Sequence, residues 1–139
     1  MLLDVVGTLV NRKSNMIPKA VKIWIIESKK LFSLYLISNN PSKKRIEKIA
    51  KELNLRYKYN ASKPRKKVTL FVIKEIGTET KNIAIIGDRI FTDIIVGNRC
   101  NIKTILVKRL KRDGLPIKFN LTLTIEKLIS HFIKWKLGL

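Results

Sequence analysis

Apolar runs of strand length alternate along this chain with stretches of helical period. Met1 to Val5 is a short apolar strand that meets Gly7-Thr8 at once. A polar loop, Asn11 to Asn15, leads to Pro18, which can open a helix, and Val21, Trp24 and Ile25 then recur at helical spacing. Leu31 to Ser38 predicts a second strand. Ser42 caps the next helix, whose core face is Ile46, Ile49, Ala50 and Leu53, and whose opening Lys43-Lys44-Arg45 run reads as a solvated helix start in preference to an anion site. Arg56 to Tyr59 is briefly extended, and Val68 to Ile76 is helical. The apolar run Ile83 to Ile86, broken at Gly87-Asp88, reads as a buried parallel strand, followed by a helix with Phe91, Ile94 and Ile95 on its core face. Thr104 to Val107 is a further apolar run, then come a basic loop from Lys108 to Arg112 and a turn at Asp113-Gly114. A helix at about 124–136 closes the chain, with Ile125, Leu128, Ile129 and Phe132 on its apolar face. Strand and helix alternate throughout, which predicts an α/β fold: a three-layer, Rossmann-like parallel sheet covered on both faces. Residues 1–139 form one domain on this reading, with the last helix packed on it.

Polar residues follow the predicted strand ends. Asp4 ends the first strand, Ser38 the second, and Lys63 lies on a loop where Pro64 disfavours helix. Asp88 ends a central strand, and Asp93 sits in the first turn of the next helix. All converge on one edge of the sheet, the edge at which open α/β sheets bind ligands. Two carboxylates there suit a hard cation such as Mg²⁺. The plainer account is a loop aspartate plus one favoured by the positive end of a helix. Taken together, the residues suit phosphoryl transfer. Asp4 can attack phosphorus, and Mg²⁺ held by Asp4 and Asp88 would let the two anions approach. Ser38 would donate to a phosphoryl oxygen, as would backbone N–H groups near Gly7, and Lys63 would supply fixed positive charge.

Charge changes the picture. Thirty Lys and Arg against ten Asp and Glu give a formal net charge of +20. Such a field draws nucleic acid, phosphorylated metabolites or an anionic membrane surface. A chain heavy in Lys, Ile and Asn is also what an AT-rich genome encodes, so solvated lysines are an equal account. Cys100 stands alone, which excludes an internal disulfide and a cysteine-based zinc site. The opening residues lack a basic leader and carry Asp4 inside the apolar run, against a secretory signal. No uncharged run reaches membrane-spanning length. His131 has no ligand or catalytic pattern around it.

The order Asp4-x-x-Gly7-Thr8, Ser38-Asn39-Asn40, Ser62-Lys63-Pro64 and Gly87-Asp88-x-x-x-Thr92-Asp93 resembles the four motifs of the haloacid dehalogenase (HAD) superfamily. Ser38-Asn39-Asn40, Ala61-Ser62-Lys63-Pro64 and Gly87 to Asp93, followed by Gly97-Asn98-Arg99, look more narrowly like the subfamily IIIA, YqeG-type phosphatases, a branch that includes phosphatidylglycerophosphate phosphatases. The resemblance runs from Met1 to about Val107. It implies Asp4 as nucleophile and first ligand of Mg²⁺, with Lys63 stabilising the phosphoryl group. Gly7, Thr8, Ser38 and Asn39 become phosphate-binding positions. Asp88 becomes a metal ligand, Asp93 a support of the metal site, and Val6 a ligand through its carbonyl.

Two departures follow. The family carries a general acid–base aspartate two residues after the nucleophile, and here that position is Val6. Such help is typically worth about 10²–10⁴-fold. Relatives also have a segment ahead of the first strand, so either the chain is trimmed or its true start lies upstream. The gaps from Thr8 to Pro18 and from Lys63 to Asn82 are too short for a cap domain, and a capless site suits a lipid headgroup. Two functions follow. One is a Mg²⁺-dependent phosphatase acting on phosphatidylglycerophosphate or a phosphorylated small molecule. The other is a catalytically weakened relative whose basic surface binds anionic membrane or, as the weaker candidate, nucleic acid. Cytoplasm or an organelle stroma such as a plastid, with peripheral membrane contact, is the expected place.

Overall fold

The first strand lies at the centre of the sheet, which explains why it carries no polar residue before Asp4. The structure is a computed structural model in which residues 1–110 are described. The turn at Asp113-Gly114, His131 and the closing helix lie outside the described residues. Five strands run parallel in the order β3-β2-β1-β4-β5: β1 (Leu2–Leu3), β2 (Tyr35–Ile37), β3 (Arg56–Lys58), β4 (Ala84–Gly87) and β5 (Lys103–Leu106). Leu2 faces Tyr35 and Ile85 across the ladder, and Leu3 faces Leu36 and Ile86.

Successive side chains of a strand point to opposite faces, and the two cores divide accordingly. Leu3, Leu36 and Ile86 pack under helices α1 (Lys19–Lys29) and α2 (Lys43–Leu53), against Val21, Trp24, Ile25, Ile46, Ile49, Ala50 and Leu53. Leu2, Tyr35, Ile37 and Ile85 pack under α3 (Lys66–Ile76) and the short helix α4 (Ile95–Arg99), against Val72, Ile73 and Val96. β2 and β3 lie on one side of β1, β4 and β5 on the other. The strand order therefore reverses between β1 and β4, and the crevice of the fold opens at their carboxyl ends. Asp4 follows β1 there, and its N–H donates to the Ile86 carbonyl of β4.

Three expectations change. Leu31 is exposed and belongs to the turn after α1, so β2 is only Tyr35–Ile37. The Lys43-Lys44-Arg45 run is not simply a solvated helix start. The Arg45 guanidinium donates to Asn15 Oδ1 and to the carbonyls of Asn11, Arg12 and Ser14, tying down the loop after the first strand. Ser42 does cap α2, accepting the Arg45 N–H at 3.3 Å.

The third correction concerns the helix after β4. It opens with a π-turn over Ile90–Ile94, in which the Ile94 N–H reaches back to the Arg89 carbonyl. The wider turn shifts the phase of the segment. Asp93, Val96, Gly97 and Cys100 face inward, while Phe91 is 79% exposed and Ile94 and Ile95 are half-buried. A carboxylate takes an inward slot that apolar periodicity assigns to Phe91, Ile94 and Ile95.

Val96→Ala should therefore cost at least about 1.5 kcal/mol, two buried methyl groups at roughly 0.8 kcal/mol each plus a cavity. Phe91→Ala should change stability by less than about 0.5 kcal/mol. Urea denaturation of the two variants checks the assignment, and a reversed order would contradict it.

Candidate active site

Lys63 is the hub of the crevice. Its Nζ, almost wholly buried, donates to Asp4 Oδ1 at 2.8 Å, Asp93 Oδ1 at 2.6 Å and the Ile37 carbonyl at 2.9 Å. An ammonium has three N–H donors, so all are used. Burial alone would push the amine towards neutrality, but the two carboxylates outweigh it, and the Lys63 pKa is raised above the ordinary lysine value. Asn39 fixes the loop that carries it: Asn39 Oδ1 accepts the Lys63 N–H at 2.7 Å, and Asn39 Nδ2 donates to the Lys63 carbonyl at 2.8 Å. Both ends of the Asn39 amide thus engage the backbone of Lys63. Its side chain thereby positions the lysine.

Asp4, Asp88 and Asp93 each offer an oxygen, and these lie within 4.8 Å of one another. The only other aspartate of the chain is Asp113. In a protein so poor in acid, three carboxylates at one point is a concentration that charge repulsion opposes. Two glycines admit them. A Cβ on Gly7, whose φ is +101°, would stand 2.7 Å from Asp88 Oδ2, and one on Gly87 would stand 2.3 Å from Asp93 Cγ. Asp93 Oδ2 accepts the Arg89 N–H at 3.2 Å, which closes the π-turn onto the site. The Thr8 hydroxyl bridges Asp4 Oδ2 at 3.1 Å and Asp88 Oδ1 at 3.2 Å.

The remaining sequence candidates are less directly placed. The Gly7 N–H donates to the Val10 carbonyl at 2.8 Å, so it is not a free phosphate donor in this conformation. Ser38 is buried beside Ile37, whose carbonyl holds Lys63, and its Oγ accepts the Asn40 N–H at 3.2 Å. Among the described residues nothing accepts the Ser38 proton. Val6 is half-buried against the core under α1 and α2. One residue of the site was missed: the Arg109 Nε donates to Asp88 Oδ2 at 2.5 Å. The rule that found Asp4, Ser38, Lys63 and Asp88 would have found it, because it lies three residues beyond β5.

An all-oxygen donor set with spacings under 4.8 Å fits a hard divalent cation, whose opposite ligands stand roughly 4 Å apart for Mg²⁺. With the three carboxylates ionised, Lys63 alone leaves the cluster two charges short of neutral, which a divalent cation would supply.

The profile of the HAD-hydrolase-like family matches residues 60–115. The chain is 28% identical over 135 residues to the "Probable phosphatase YqeG" of Bacillus subtilis strain 168, covering 96% of this chain and 77% of that protein. An uncharacterized protein from Listeria monocytogenes serotype 4b shares the fold, with a TM-score of 0.69, 18% identity and coverage of 93% and 96% of the two chains. The fold is α/β and HAD-like, and residues 60–115 are similar to HAD-hydrolase-like proteins. Over nearly its whole length the chain is similar to a YqeG-type protein.

Burial, with Asp93 and Asp88 nearby, raises the Asp4 pKa to about 6 against the pull of Lys63. Between about pH 4 and 6 the folded protein then holds a proton that the unfolded chain has released. Native stability falls through that window as pH rises. Measured without divalent cations, the stability of Asp4→Asn relative to the native protein should therefore grow from pH 4 to pH 7, by at most about 3 kcal/mol. Melting temperatures across that range check the sign. A difference that shrinks with pH would contradict it.

Proposed function

We propose that the protein is a Mg²⁺-dependent phosphatase acting through an aspartyl-phosphate on Asp4, with phosphatidylglycerophosphate as substrate, in phosphatidylglycerol synthesis. One observation carries this: the Asp4 carboxylate stands at the end of the central strand, held by the Lys63 ammonium, with an Asp88 oxygen within 4.8 Å of one of its own. The name of the Bacillus relative, a probable phosphatase, supports the class of reaction.

Asp4, Asp88 and the carbonyl of Val6 would hold Mg²⁺, with Asp93 bracing them through Lys63. The cation supplies the charge neutralisation that lets a phosphate approach a carboxylate. Lys63 keeps Asp4 Oδ1 fixed, so Oδ2 is the oxygen that attacks once Thr8 releases it. The bond from Asp4 to phosphorus forms as the ester P–O bond breaks, and the leaving alkoxide takes a proton from solvent. Water then attacks the phosphoryl group and regenerates the carboxylate. Ser38, whose proton is uncommitted, suits a phosphoryl oxygen.

A lipid headgroup is favoured by three features: the net charge of +20, the short loop between β1 and α1, and the exposed Ile90 and Phe91 beside the site. Among the described residues no helix is long and apolar enough to cross a membrane, so contact would be peripheral.

Val6 favours a second function, that of a weakened relative that binds anionic membrane or nucleic acid. Among the described residues bonded to Asp4, none is a free proton carrier: Lys63 is fully engaged, and Thr8 does not titrate near neutral pH. Val6→Asp decides between the two. It should raise turnover on phosphatidylglycerophosphate vesicles about ten-fold or more, the low end of general acid–base effects, and should help poor leaving groups more than an aryl phosphate. Asp4→Asn should abolish activity in either background. A folded, Mg²⁺-binding Val6→Asp protein with no gain would leave the binding function as the better account.

A further inference from the structure

Arg109 belongs to none of the four motifs, yet it closes the crevice. The segment after β5 crosses the carboxyl edge of the sheet. The Val107 N–H donates to the Gly87 carbonyl, and the Leu110 N–H to the Gly7 carbonyl, each at 2.9 Å. Those anchors hold Arg109 over the gap between β1 and β4. Its Nε bonds Asp88 Oδ2, a carboxylate with no exposed side-chain surface, while the arginine itself is about half exposed. The Cβ that Gly7 lacks would have filled the space beside that same oxygen.

Three carboxylates and Lys63 leave the cluster at −2. Arg109 brings it to −1, and a divalent cation without Arg109 brings it to zero. With both present, a buried cluster would carry net positive charge and two cations would compete for Asp88. Resting on the assignment of this crevice to cation and phosphate, we propose that Arg109 is an internal counter-ion that alternates with the divalent cation. It holds Asp88 until the cation binds, then releases it. The freed guanidinium, still anchored beside the crevice, takes a non-bridging oxygen of the incoming phosphate. A planar guanidinium suits both partners, because its paired N–H groups match carboxylate and phosphate alike.

Calorimetric titration with Mg²⁺ alone, at fixed ionic strength, tests the first half. Arg109→Ala and Arg109→Gln should each bind Mg²⁺ about three- to ten-fold more tightly than the native protein, a half-exposed charged hydrogen bond being worth no more. Lys108→Ala removes the same charge from the same exposed loop and should stay within about two-fold of native, which separates competition from the general field. Titration with inorganic phosphate at saturating Mg²⁺ tests the second half: phosphate should bind more weakly to both Arg109 variants and unchanged to Lys108→Ala. Equal Mg²⁺ affinity in native and Arg109 variants, an equal gain in Lys108→Ala, or undiminished phosphate binding would overturn the inference. If Asp88→Asn abolishes Mg²⁺ binding in the same series, that failure is confined to Arg109. If native protein binds no Mg²⁺, or Asp88→Asn binds it unchanged, the cation site falls and the inference with it.

Discussion

A buried ammonium shared by two buried carboxylates is the constraint on which this structure depends. Moving an isolated charge out of water costs several kcal/mol even after relaxation, so Lys63 is tolerable only because each of its N–H groups has an acceptor. Removing either aspartate would take the acceptor from one Lys63 N–H, and removing the lysine would leave Asp4, Asp88 and Asp93 to repel one another. The pKa directions express the same balance: Lys63 is pushed up by its partners, while Asp4 and Asp93 are pushed up chiefly by burial in spite of it.

Much of the fold is arranged to meet that constraint. Parallel strands bring the residues after β1 and β4 side by side at the point where strand order reverses. Asn39 clamps the peptide of Lys63 from the end of β2, and the π-turn after β4 rotates Asp93 inward at the cost of exposing Phe91. Gly7 and Gly87 are needed because carboxylates occupy the space of their missing side chains. These contacts are local, yet they serve a single charge cluster, which is why motif residues far apart in the chain act together.

What was legible in the sequence was whatever a strand end makes visible. Asp4, Ser38, Lys63 and Asp88 stand out because apolar runs stop abruptly at them, and the α/β alternation follows from those same runs. Asp93 was visible through its motif, but the phase of its helix was not. Periodicity assumes that inward positions are apolar, and here an ion pair occupies one. Asn39 and Arg45 act on backbone groups distant in the chain, an interaction with no sequence period. Arg109 was hidden in a basic loop of a basic protein, where one arginine among 30 Lys and Arg carries no signal until the end of β5 is seen to meet the others.

On the proposed function, the carboxylate that Lys63 holds is a nucleophile towards phosphorus. Because Val6 cannot accept the proton of the attacking water in the second half-reaction, the phosphorylated form should outlive its formation. Incubation of the native protein with an activated aryl phosphate and Mg²⁺, followed by acid quench and peptide mass spectrometry, tests this directly. One added phosphoryl group is predicted on the peptide containing Asp4, lost on treatment with hydroxylamine and absent from Asp4→Asn. A phosphoryl group on any other residue, or the same labelling in Asp4→Asn, would contradict the account.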